Sequence, residues 1–257
     1  MSLIPDRIVY NSARAAAEHA EFGFHGRKSM VIHNGIDIAR FVPLSEKRRA
    51  MRNQLGAATE DILIGHVARY HPVKDHTSFA QAAALVSKRH DNVRFVLVGR
   101  GTDRSNKELL DLLQQLRIED RFILCGERLD VPDLLQAFDI AVSSSISEGF
   151  SNTMAEAMAS ELPCVATDVG ESAFLLEGCG SVVPPSAPEK LASAIEALVA
   201  LAPQDRHEIG VRSRTRIAEH FSIEGAASHF RSVLEEALSR RQRKIGYSIA
   251  KRGGKPN

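Results

Sequence analysis

Six short apolar runs alternate with longer amphipathic stretches along this chain, and this alternation limits its fold more than any other feature. The runs are Ile62–Val67, Val93–Val98, Phe122–Cys125, Ile140–Val142, Pro163–Ala166 and Ser181–Val183. The amphipathic stretches are 75–89, 106–116, 131–138 and 152–160. Near-continuous apolar strands separated by helices are typical of a parallel sheet that is covered on both faces. The alternation therefore predicts an α/β fold with a Rossmann-like, doubly wound parallel sheet.

The composition is that of an ordinary globular protein, with 44% hydrophobic and 25% charged residues among 257. A net charge of +1 gives no basis for nucleic-acid binding. No apolar run is long enough to span a bilayer, and the N-terminus lacks the pattern of a secretory signal. The three cysteines have no CxxC spacing and are expected to be reduced. Together these features predict a cytoplasmic protein.

The two ends of the chain differ from its middle. The first forty residues contain a short strand, a helix over 13–21 and a second strand over 30–33. The segment from about 187 to 240 is largely helical, with Pro203 and Ser222 as helix starts. From residue 239 onward the tail is rich in lysine and arginine. A solvated terminus explains this basic tail, and contact with anionic lipid or a partner is the alternative.

Polar residues and glycines follow the ends of the predicted strands. The first run is followed by ARYHPVKD and the fourth by SSSISEGF. Ligands of such sheets bind beyond the carboxyl ends of the strands. Arg69 and Lys74 place two cations around Pro72 at one of these ends, which suits a diphosphate. On spacing alone, pairing with surface carboxylates such as Asp75 explains these cations equally well.

The segment SSISEGFSNTMAEAMAS, residues 144–160, contains two glutamates, Glu148 and Glu156. Ser151 or Asn152 can cap a helix that runs to the end of this segment. The unpaired amides of its first turn would face an anion. Glu148 would lie in the loop and Glu156 about one turn inside the helix. Carboxylates accept hydrogen bonds from vicinal hydroxyls, so the pair suits a sugar and a ribose, although each alone is explained as a surface charge.

Taken together, the motifs make this chain resemble the retaining family-4 glycosyltransferases of GT-B fold. The two glutamates of SISEGFSNTMAEAMA are similar to the family's hallmark, and VARYHPVKD is similar to its basic diphosphate motif. IHNGID resembles the hinge between the family's two domains. VLVGRG, CGERLDVP and LPCVATDVG also fall where the family has similar segments. The resemblance extends from about residue 7 to about residue 235.

This resemblance implies a role for each matching residue. Arg69 and Lys74 would bind the donor diphosphate and stabilise its charge as the glycosidic bond breaks. Glu148 would contact hydroxyls of the donor sugar, and Glu156 would hold the ribose. The remaining implied donor contacts, through backbone groups for the sugar and phosphates and through the base-lining loop, are Gly149, Phe150, Ser151, Asn152, Thr153, Glu127, Arg128 and Leu129.

The resemblance also implies a donor site without metal or other cofactor, because the cations and helix amides neutralise the diphosphate. The substrate would be a nucleotide-diphosphate sugar, and UDP is favoured by its frequency in the family. The sugar would keep its anomeric configuration through a front-face displacement, so no protein nucleophile is expected. His71 and His76 flank Lys74 and are interpreted as a loop residue and a helix-start residue rather than metal ligands.

The resemblance divides the chain into three parts. Residues 1–40 would be the end of the N-terminal acceptor domain and the hinge, 41–220 the C-terminal nucleotide-sugar-binding domain, and 221–257 a C-terminal helix and basic tail. The acceptor domain would then be a missing partner. A face without that partner is expected to expose an apolar patch and to self-associate. The basic tail would allow peripheral contact with the inner face of the membrane.

The sequence leaves four functions to be compared. The first is the donor half of a glycosyltransferase that acts on a glycan or lipid-linked acceptor in polysaccharide or glycoconjugate synthesis. The second is a module that binds UDP or a UDP-sugar without turnover. The third is a GT-B sugar-nucleotide epimerase, which would convert the free UDP-sugar without an acceptor. The fourth, an NAD-binding domain, is disfavoured because no GxGxxG follows Ile62–Val67.

Overall fold

The computed structural model describes residues 5–24 and 26–252, with side chains through residue 240. The strands are β1 (Ile8–Tyr10), β2 (Ser29–Val31), β3 (Ile62–Val67), β4 (Val93–Val98), β5 (Phe122–Leu124), β6 (Ile140–Ser143), β7 (Cys164–Thr167) and β8 (Gly180–Val183). The helices are α1 (Ala13–Glu21), α2 (Ser45–Gln54), α3 (His76–Ser87), α4 (Lys107–Gln115), α5 (Val131–Leu135), α6 (Asn152–Ala159), α7 (Ser172–Leu175), α8 (Pro188–Val199), α9 (Pro203–His220) and α10 (Ile223–Arg252). Short 3-10 turns lie at Gly26–Lys28, Ile38–Phe41, Pro72–Lys74 and Glu119–Arg121.

A six-stranded parallel sheet forms the centre of the molecule, with the strand order β5-β4-β3-β6-β7-β8. Ile62 pairs with Val93 at the start of β3 and β4, and Ile64 pairs with Ile140 on β6. All six predicted strands are present, with ends within one residue of those expected from the apolar runs. The chain adds β4 and then β5 on one side of β3, and it adds β6, β7 and β8 on the other side. The strand order therefore reverses between β3 and β6, where doubly wound sheets bind their ligands.

Helices cover both faces of this sheet, which confirms the doubly wound prediction. On one face α5, α6 and α9 bury a cluster that includes Leu134, Met158 and Ile217. On the other face α3, α4 and α8 bury a second cluster around Phe79 and Leu109. Each large apolar side chain removed from water in this way stabilises the fold by about 1.5–3 kcal/mol.

Helix α2 was not expected from the sequence, because its residues SEKRRAMRNQ show no apolar periodicity. The buried Arg52 anchors this helix instead. Its guanidinium donates to Ala137 O at 3.1 Å, to Asp139 Oδ2 at 3.0 Å and to Asp61 O at 2.6 Å. Hydrogen bonds of Arg52 and Arg48 thus hold this helix alongside the partly buried Met51, in place of the longer apolar stripe that usually reveals a helix in a sequence.

The N-terminal β1–α1–β2 unit forms a separate two-stranded parallel sheet, with Ile8 opposite Ser29. A single parallel bridge joins Ile36, after this unit, to Ser222, before α10. The predicted helix starts at Pro203 and after Ser222 are confirmed, and the Ser222 hydroxyl accepts from Gly225 N at 3.3 Å. The second strand begins and ends slightly earlier than predicted. The boundaries of the three predicted parts of the chain stay a prediction.

Helix α10 carries an exposed apolar row formed by Ile223, Phe230, Leu234 and Leu238. The apolar patch expected on the face toward the acceptor domain, and self-association through it, stay predictions. In the described part of the chain, none of the helices combines the length and apolar character that crossing a bilayer requires. The side chains of the predicted basic tail beyond residue 240 lie outside the described residues.

Candidate functional site

The loops after four neighbouring strands, together with the end of β7, join into one hydrogen-bonded edge at the carboxyl side of the sheet. The links are Gly99 N to Gly126 O at 2.8 Å, Tyr70 N to Arg100 O at 2.8 Å, Ile146 N to Val73 O at 2.9 Å and Thr167 Oγ1 to Ser145 O at 2.5 Å. Successive links connect the β5 loop to the β4 loop, then to the β3 loop, the β6 loop and β7. The polar segments that the sequence placed at the strand ends therefore form a continuous surface.

Lys74 and Glu148 meet at the point where the strand order reverses. Lys74 follows β3, Glu148 follows β6, and the Lys74 Nζ forms an ion pair with the Glu148 Oε1. The Ser145 hydroxyl donates to the same carboxylate oxygen at 2.8 Å. Both charged side chains are largely buried, with 21% and 15% of their surface exposed. The fold thus brings together two of the three residues predicted to act directly on the donor.

Arg69, the third of these residues, lies on the same loop as Lys74 but does not touch it. Its side chain is exposed, and within residues 5–24 and 26–240 it makes no hydrogen bond or ion pair. The guanidinium therefore keeps its planar fork of N–H donors free at the mouth of the edge.

The backbone at Gly149 is held between two other segments. Its carbonyl accepts from Glu171 N at 3.0 Å, and a Cβ atom at this position would lie 3.1 Å from Asn11 Oδ1. Gly170 has φ +55°, and a Cβ there would overlap the Gly149 carbonyl. The fold thus favours a glycine at 149, where the Asn11 side chain would have to shift to admit a Cβ, in addition to the predicted close approach of a ligand.

Phe150 contributes its side chain to the core rather than to the site. The ring is buried, and its centroid lies 5.5 Å from that of Phe221 and 5.8 Å from that of His33. Only the backbone of Phe150 can therefore take part in the predicted contact with a ligand.

Glu171 is a buried carboxylate in the loop after β7, and the sequence predicted no role for it. Its Oε1 accepts from the backbone N–H groups of Ala13 and Arg14, the latter at 3.3 Å, at the start of α1. The Oε2 lies 3.5 Å from His33 Nε2. Glu171 therefore joins the N-terminal unit to the loop that contains Glu148, over a separation in sequence that no local pattern reveals.

Helix α6 begins at Asn152, as predicted, with Ser151 in the N-cap position. The Ser151 side chain makes no capping hydrogen bond, so it does not satisfy the amides of the first turn. Asn152 instead accepts from Asn34 Nδ2 at 2.9 Å through its side chain, and Thr153 is half-buried. The start of α6 therefore presents backbone amides toward the end of the β6 loop.

Glu156 lies one turn inside α6 and is half-buried. Burial raises the pKa of Glu156, and the charge of Arg40 partly opposes this shift. Both residues line a cleft between α6, the hinge segment and the start of α10, together with Asn34, Asp37 and Phe230. The structure does not pair the two glutamates: Glu148 contacts Lys74, whereas Glu156 interacts with Arg40.

The loop after β5 offers little free charge. Arg128 donates to both carboxylate oxygens of Asp130, at 2.7 and 2.5 Å, and these hydrogen bonds lower the pKa of Asp130. Leu129 is 98% exposed, and Glu127 is exposed as well. A ligand at this loop would therefore meet the Leu129 side chain and backbone groups, since the Arg128 fork is occupied.

The two histidines beside Lys74 have the structural roles expected of them. His71 precedes the 3-10 turn and accepts from Val73 N through Nδ1 at 3.3 Å. His76 is the first residue of α3, and its burial lowers its pKa to about 4. Across the described ranges, no three His, Cys, Asp or Glu side chains cluster in a way that could hold a metal ion.

A family model described as glycosyl transferases group 1 matches residues 61–200, which is more than half of the chain. The chain is also similar to the lipopolysaccharide core biosynthesis mannosyltransferase LpsB of Rhizobium meliloti. The two are 28% identical over 243 residues, which cover 91% of this chain and 66% of LpsB.

Two solved structures share the fold. The Anabaena protein HepE, in complex with UDP-glucose, is 25% identical with a TM-score of 0.82, over 90% of this chain and 64% of HepE. The C-terminal domain of the group 1 glycosyl transferase LpcC from Francisella tularensis is 24% identical with a TM-score of 0.65, over 74% of this chain and 100% of that domain. The six-stranded α/β fold thus matches GT-B glycosyltransferase structures, and the chain spans less than two thirds of HepE and 66% of LpsB.

Proposed function

Because this chain belongs to the group 1 glycosyltransferases, we propose that its strand-end edge binds a nucleotide-diphosphate sugar as the donor for glycosyl transfer. The observation that carries the proposal is the Lys74–Glu148 pair at the point where the strand order reverses. A cation for a diphosphate and a carboxylate for sugar hydroxyls lie side by side there. Ligands of doubly wound sheets bind at this position.

Lys74, Arg69 and the start of α6 would receive the diphosphate. The Lys74 ammonium has three N–H groups, and its contact with Glu148 uses one of them. Arg69 is exposed and keeps its fork for two phosphate oxygens. The first-turn amides of α6 add partial positive charge. As the glycosidic bond breaks, negative charge grows on the departing diphosphate, and these groups stabilise it.

Glu148 would orient the donor sugar. Its Oε1 holds both Lys74 and Ser145, which leaves Oε2 to accept from a sugar hydroxyl. A carboxylate that is fixed by an ion pair and a hydroxyl is suited to positioning rather than to attack. Transfer would therefore proceed without a protein nucleophile and with retention of the anomeric configuration, as the sequence resemblance implies.

Glu156 and the β5 loop would bind the nucleoside part. The Glu156 carboxylate lies beside a cleft and would accept from the two ribose hydroxyls. The exposed Leu129 side chain would lie against the base, with backbone groups of Glu127 and Arg128 beside it. UDP is the proposed nucleotide, supported by the UDP-glucose that HepE binds.

The acceptor and the whole-protein activity also belong to the proposal. A glycan or lipid-linked acceptor is supported by LpsB, whose name places it in lipopolysaccharide core synthesis. Donor binding without metal or other cofactor is proposed because the cations and helix amides of the edge suffice to neutralise a diphosphate.

Isothermal titration of the chain with UDP, UDP-glucose and GDP-mannose, in the presence of EDTA, tests the proposal. We expect one nucleotide series to bind, and the Arg69→Ala/Lys74→Ala variant to lose at least about 100-fold in affinity, since it removes two charged hydrogen bonds that contribute about 1.5–3 kcal/mol each.

The matched control is Lys88→Ala/Arg89→Ala, which removes two exposed cations before β4, at the opposite edge of the sheet. Its affinity should equal that of the wild type. Equal losses in both double variants would indicate attraction by overall charge only, and no binding of any nucleotide by the folded wild type would contradict the donor site.

A further inference from the structure

Ser144 lies directly behind the Lys74–Glu148 pair and was given no role by the sequence. It is the first residue after β6 and is completely buried. Its hydroxyl lies 2.8 Å from Lys74 O, 3.0 Å from Asp75 O and 3.0 Å from His66 Nε2. One side chain of the β6 loop thus contacts both the backbone that carries Lys74 and a side chain inside β3.

The proton positions in this network follow from the number of donors. A serine hydroxyl has one proton, and the two carbonyl oxygens of Lys74 and Asp75 can only accept. The hydroxyl therefore donates to the carbonyls, and His66 must donate its Nε2–H to the Ser144 oxygen. Burial, reinforced by the charges of His76 and Lys74, lowers the pKa of His66 well below its ordinary value. The ring is consequently neutral, with its proton on Nε2.

The carbonyls that Ser144 holds belong to a turn with an uncommon backbone. Asp75 has φ 46° and ψ 55°, a left-handed conformation that few residues other than glycine adopt. The Asp75 side chain also accepts from Ser78 N at 3.0 Å and caps α3. Ser144 therefore fixes the turn from which the Lys74 side chain extends toward Glu148.

We propose that Ser144 and His66 are positioning residues that hold Lys74 in place to bind the donor diphosphate. Neither side chain touches the proposed ligand, because both are buried beneath the loop. They act through the Lys74 backbone, and the Ile146 N to Val73 O hydrogen bond of 2.9 Å supports the same loop from the next turn. This inference rests on the proposed donor site.

A double-mutant cycle with UDP measures whether Ser144 acts through Lys74. The four proteins are the wild type, Ser144→Ala, Lys74→Ala and the double variant, with affinities from isothermal titration. We expect Ser144→Ala to lower the affinity for UDP about tenfold in the wild type and less than about twofold when Lys74 is already alanine. The same factor in both backgrounds, or no loss at all, overturns the inference.

Ser213→Ala is the matched control for simple loss of a buried hydroxyl. Ser213 is also completely buried, and its hydroxyl lies 3.1 Å from Cys179 O and 3.0 Å from Ile209 O, away from the strand-end edge. Its removal should lower the unfolding midpoint to an extent similar to that of Ser144→Ala and leave UDP affinity unchanged. A comparable loss of affinity in this control would assign the Ser144 effect to general destabilisation.

Substitutions of His66 separate the hydrogen bond from the imidazole itself. In His66→Gln the amide can present an N–H donor near the position of Nε2, whereas His66→Leu has no donor. We expect the Gln variant to bind UDP within about threefold of the wild type and the Leu variant to match Ser144→Ala. Equal affinities for folded Gln and Leu variants would remove His66 from the network, and if the Leu variant does not fold, the Ser144 cycle decides.

Chemical unfolding of the same four proteins distinguishes failure of this inference from failure of the proposed function. If the wild type binds no nucleotide, the donor site is wrong, but the Ser144–Lys74 coupling is still measured by unfolding equilibria. Lys74→Ala should then reduce the folding equilibrium constant more in the wild type than in Ser144→Ala. Equal reductions would show that Ser144 does not position Lys74 against Glu148.

Discussion

The two edges of the central sheet use charged residues in opposite ways. At the amino edge, Arg52 and Arg206 are buried, and their guanidinium groups donate to backbone carbonyls: Arg52 to Ala137 and Asp61, and Arg206 to Leu201 at 2.6 Å. At the carboxyl edge, the Arg69 guanidinium makes no hydrogen bond or ion pair with any described residue, and Lys74 keeps two of its three N–H groups outside its ion pair.

This difference shows that saturation, rather than charge, separates a structural cation from a candidate binding cation. Arg52 donates four hydrogen bonds and Arg206 donates three, so these buried guanidinium groups have few N–H donors left for a ligand. The amino edge also borders a cavity lined by Arg48, Asp139 and Arg206, and each of these side chains is engaged in hydrogen bonds to the protein. A concave surface with charged walls is therefore not sufficient to indicate a site.

The largest expected effect lies at the saturated edge. Arg52→Ala leaves Asp139 with a weakened set of partners and removes the donor from three backbone carbonyls, so the free energy of unfolding should fall by about 3 kcal/mol. Urea titration measures this loss, and UDP affinity of the folded variant should stay unchanged. If Arg52→Ala were as stable as the wild type, or if it bound nucleotide more weakly, Arg52 would not be a purely structural cation. The contrast between the two edges would then be wrong.

Glu156→Gln is expected to have an intermediate effect, on UDP affinity and on the preference for a ribose over a deoxyribose. The weaker hydrogen bond to ribose should reduce UDP affinity by about tenfold and shrink the preference for UDP over 2′-deoxy-UDP. Glu161→Gln, a half-buried glutamate just beyond α6 near Arg214, is the control and should bind like the wild type. If Glu156→Gln kept the full preference for UDP over 2′-deoxy-UDP, Glu156 would not be the residue that binds the ribose.

The same substitution should stabilise the protein in a pH-dependent way. Burial raises the pKa of Glu156 in the folded state, so its ionised form opposes folding. This penalty is absent below the unfolded pKa and is fully present once the pH exceeds the raised folded value. The gain in unfolding free energy from Glu156→Gln should therefore be larger at pH 7 than at pH 4, and a constant gain would contradict the role of burial.

The smallest effect is expected at Arg104, which follows β4 on the carboxyl side but pairs with Glu119 at 3.2 Å. Its side chain is 71% exposed, and exposed pairs of this kind contribute at most about 1 kcal/mol. Arg104→Ala should change neither UDP affinity nor stability beyond about 0.5 kcal/mol. A clear loss of UDP affinity in Arg104→Ala would show that the binding surface extends past Arg69 to a cation that is already paired with a carboxylate.

The strands of the central sheet could be predicted from the sequence because each is a buried apolar run with polar residues at its end. Helix α2 could not, since Arg52 replaces the apolar stripe on which such predictions depend. The charged residues of the carboxyl edge could also be predicted from the local sequence. Lys74 and Glu148 sit in loops directly after strands that the pattern identifies.

The buried residues that hold the loops of the site in place could not be predicted in this way. Ser144 and His66 are separated by 78 positions, and Glu171 and Ala13 by 158. A buried serine after a strand, or a glutamate after a glycine, has the same local appearance whether or not such a partner exists. Only the three-dimensional arrangement of the loops shows which polar residues hold the edge together.

Glu171 has a mechanical consequence because its two ends belong to different parts of the fold. Its carboxylate holds the first turn of α1, and its own amide holds the Gly149 carbonyl beside Glu148. Among the described residues the two sheets share no strand pairing, so a displacement of α1 would leave the strand pairing of the central sheet intact. Any such displacement must either release the Glu171 carboxylate or pull on the residue next to Glu148. One residue thereby couples the position of the N-terminal unit to the loop that contains Glu148.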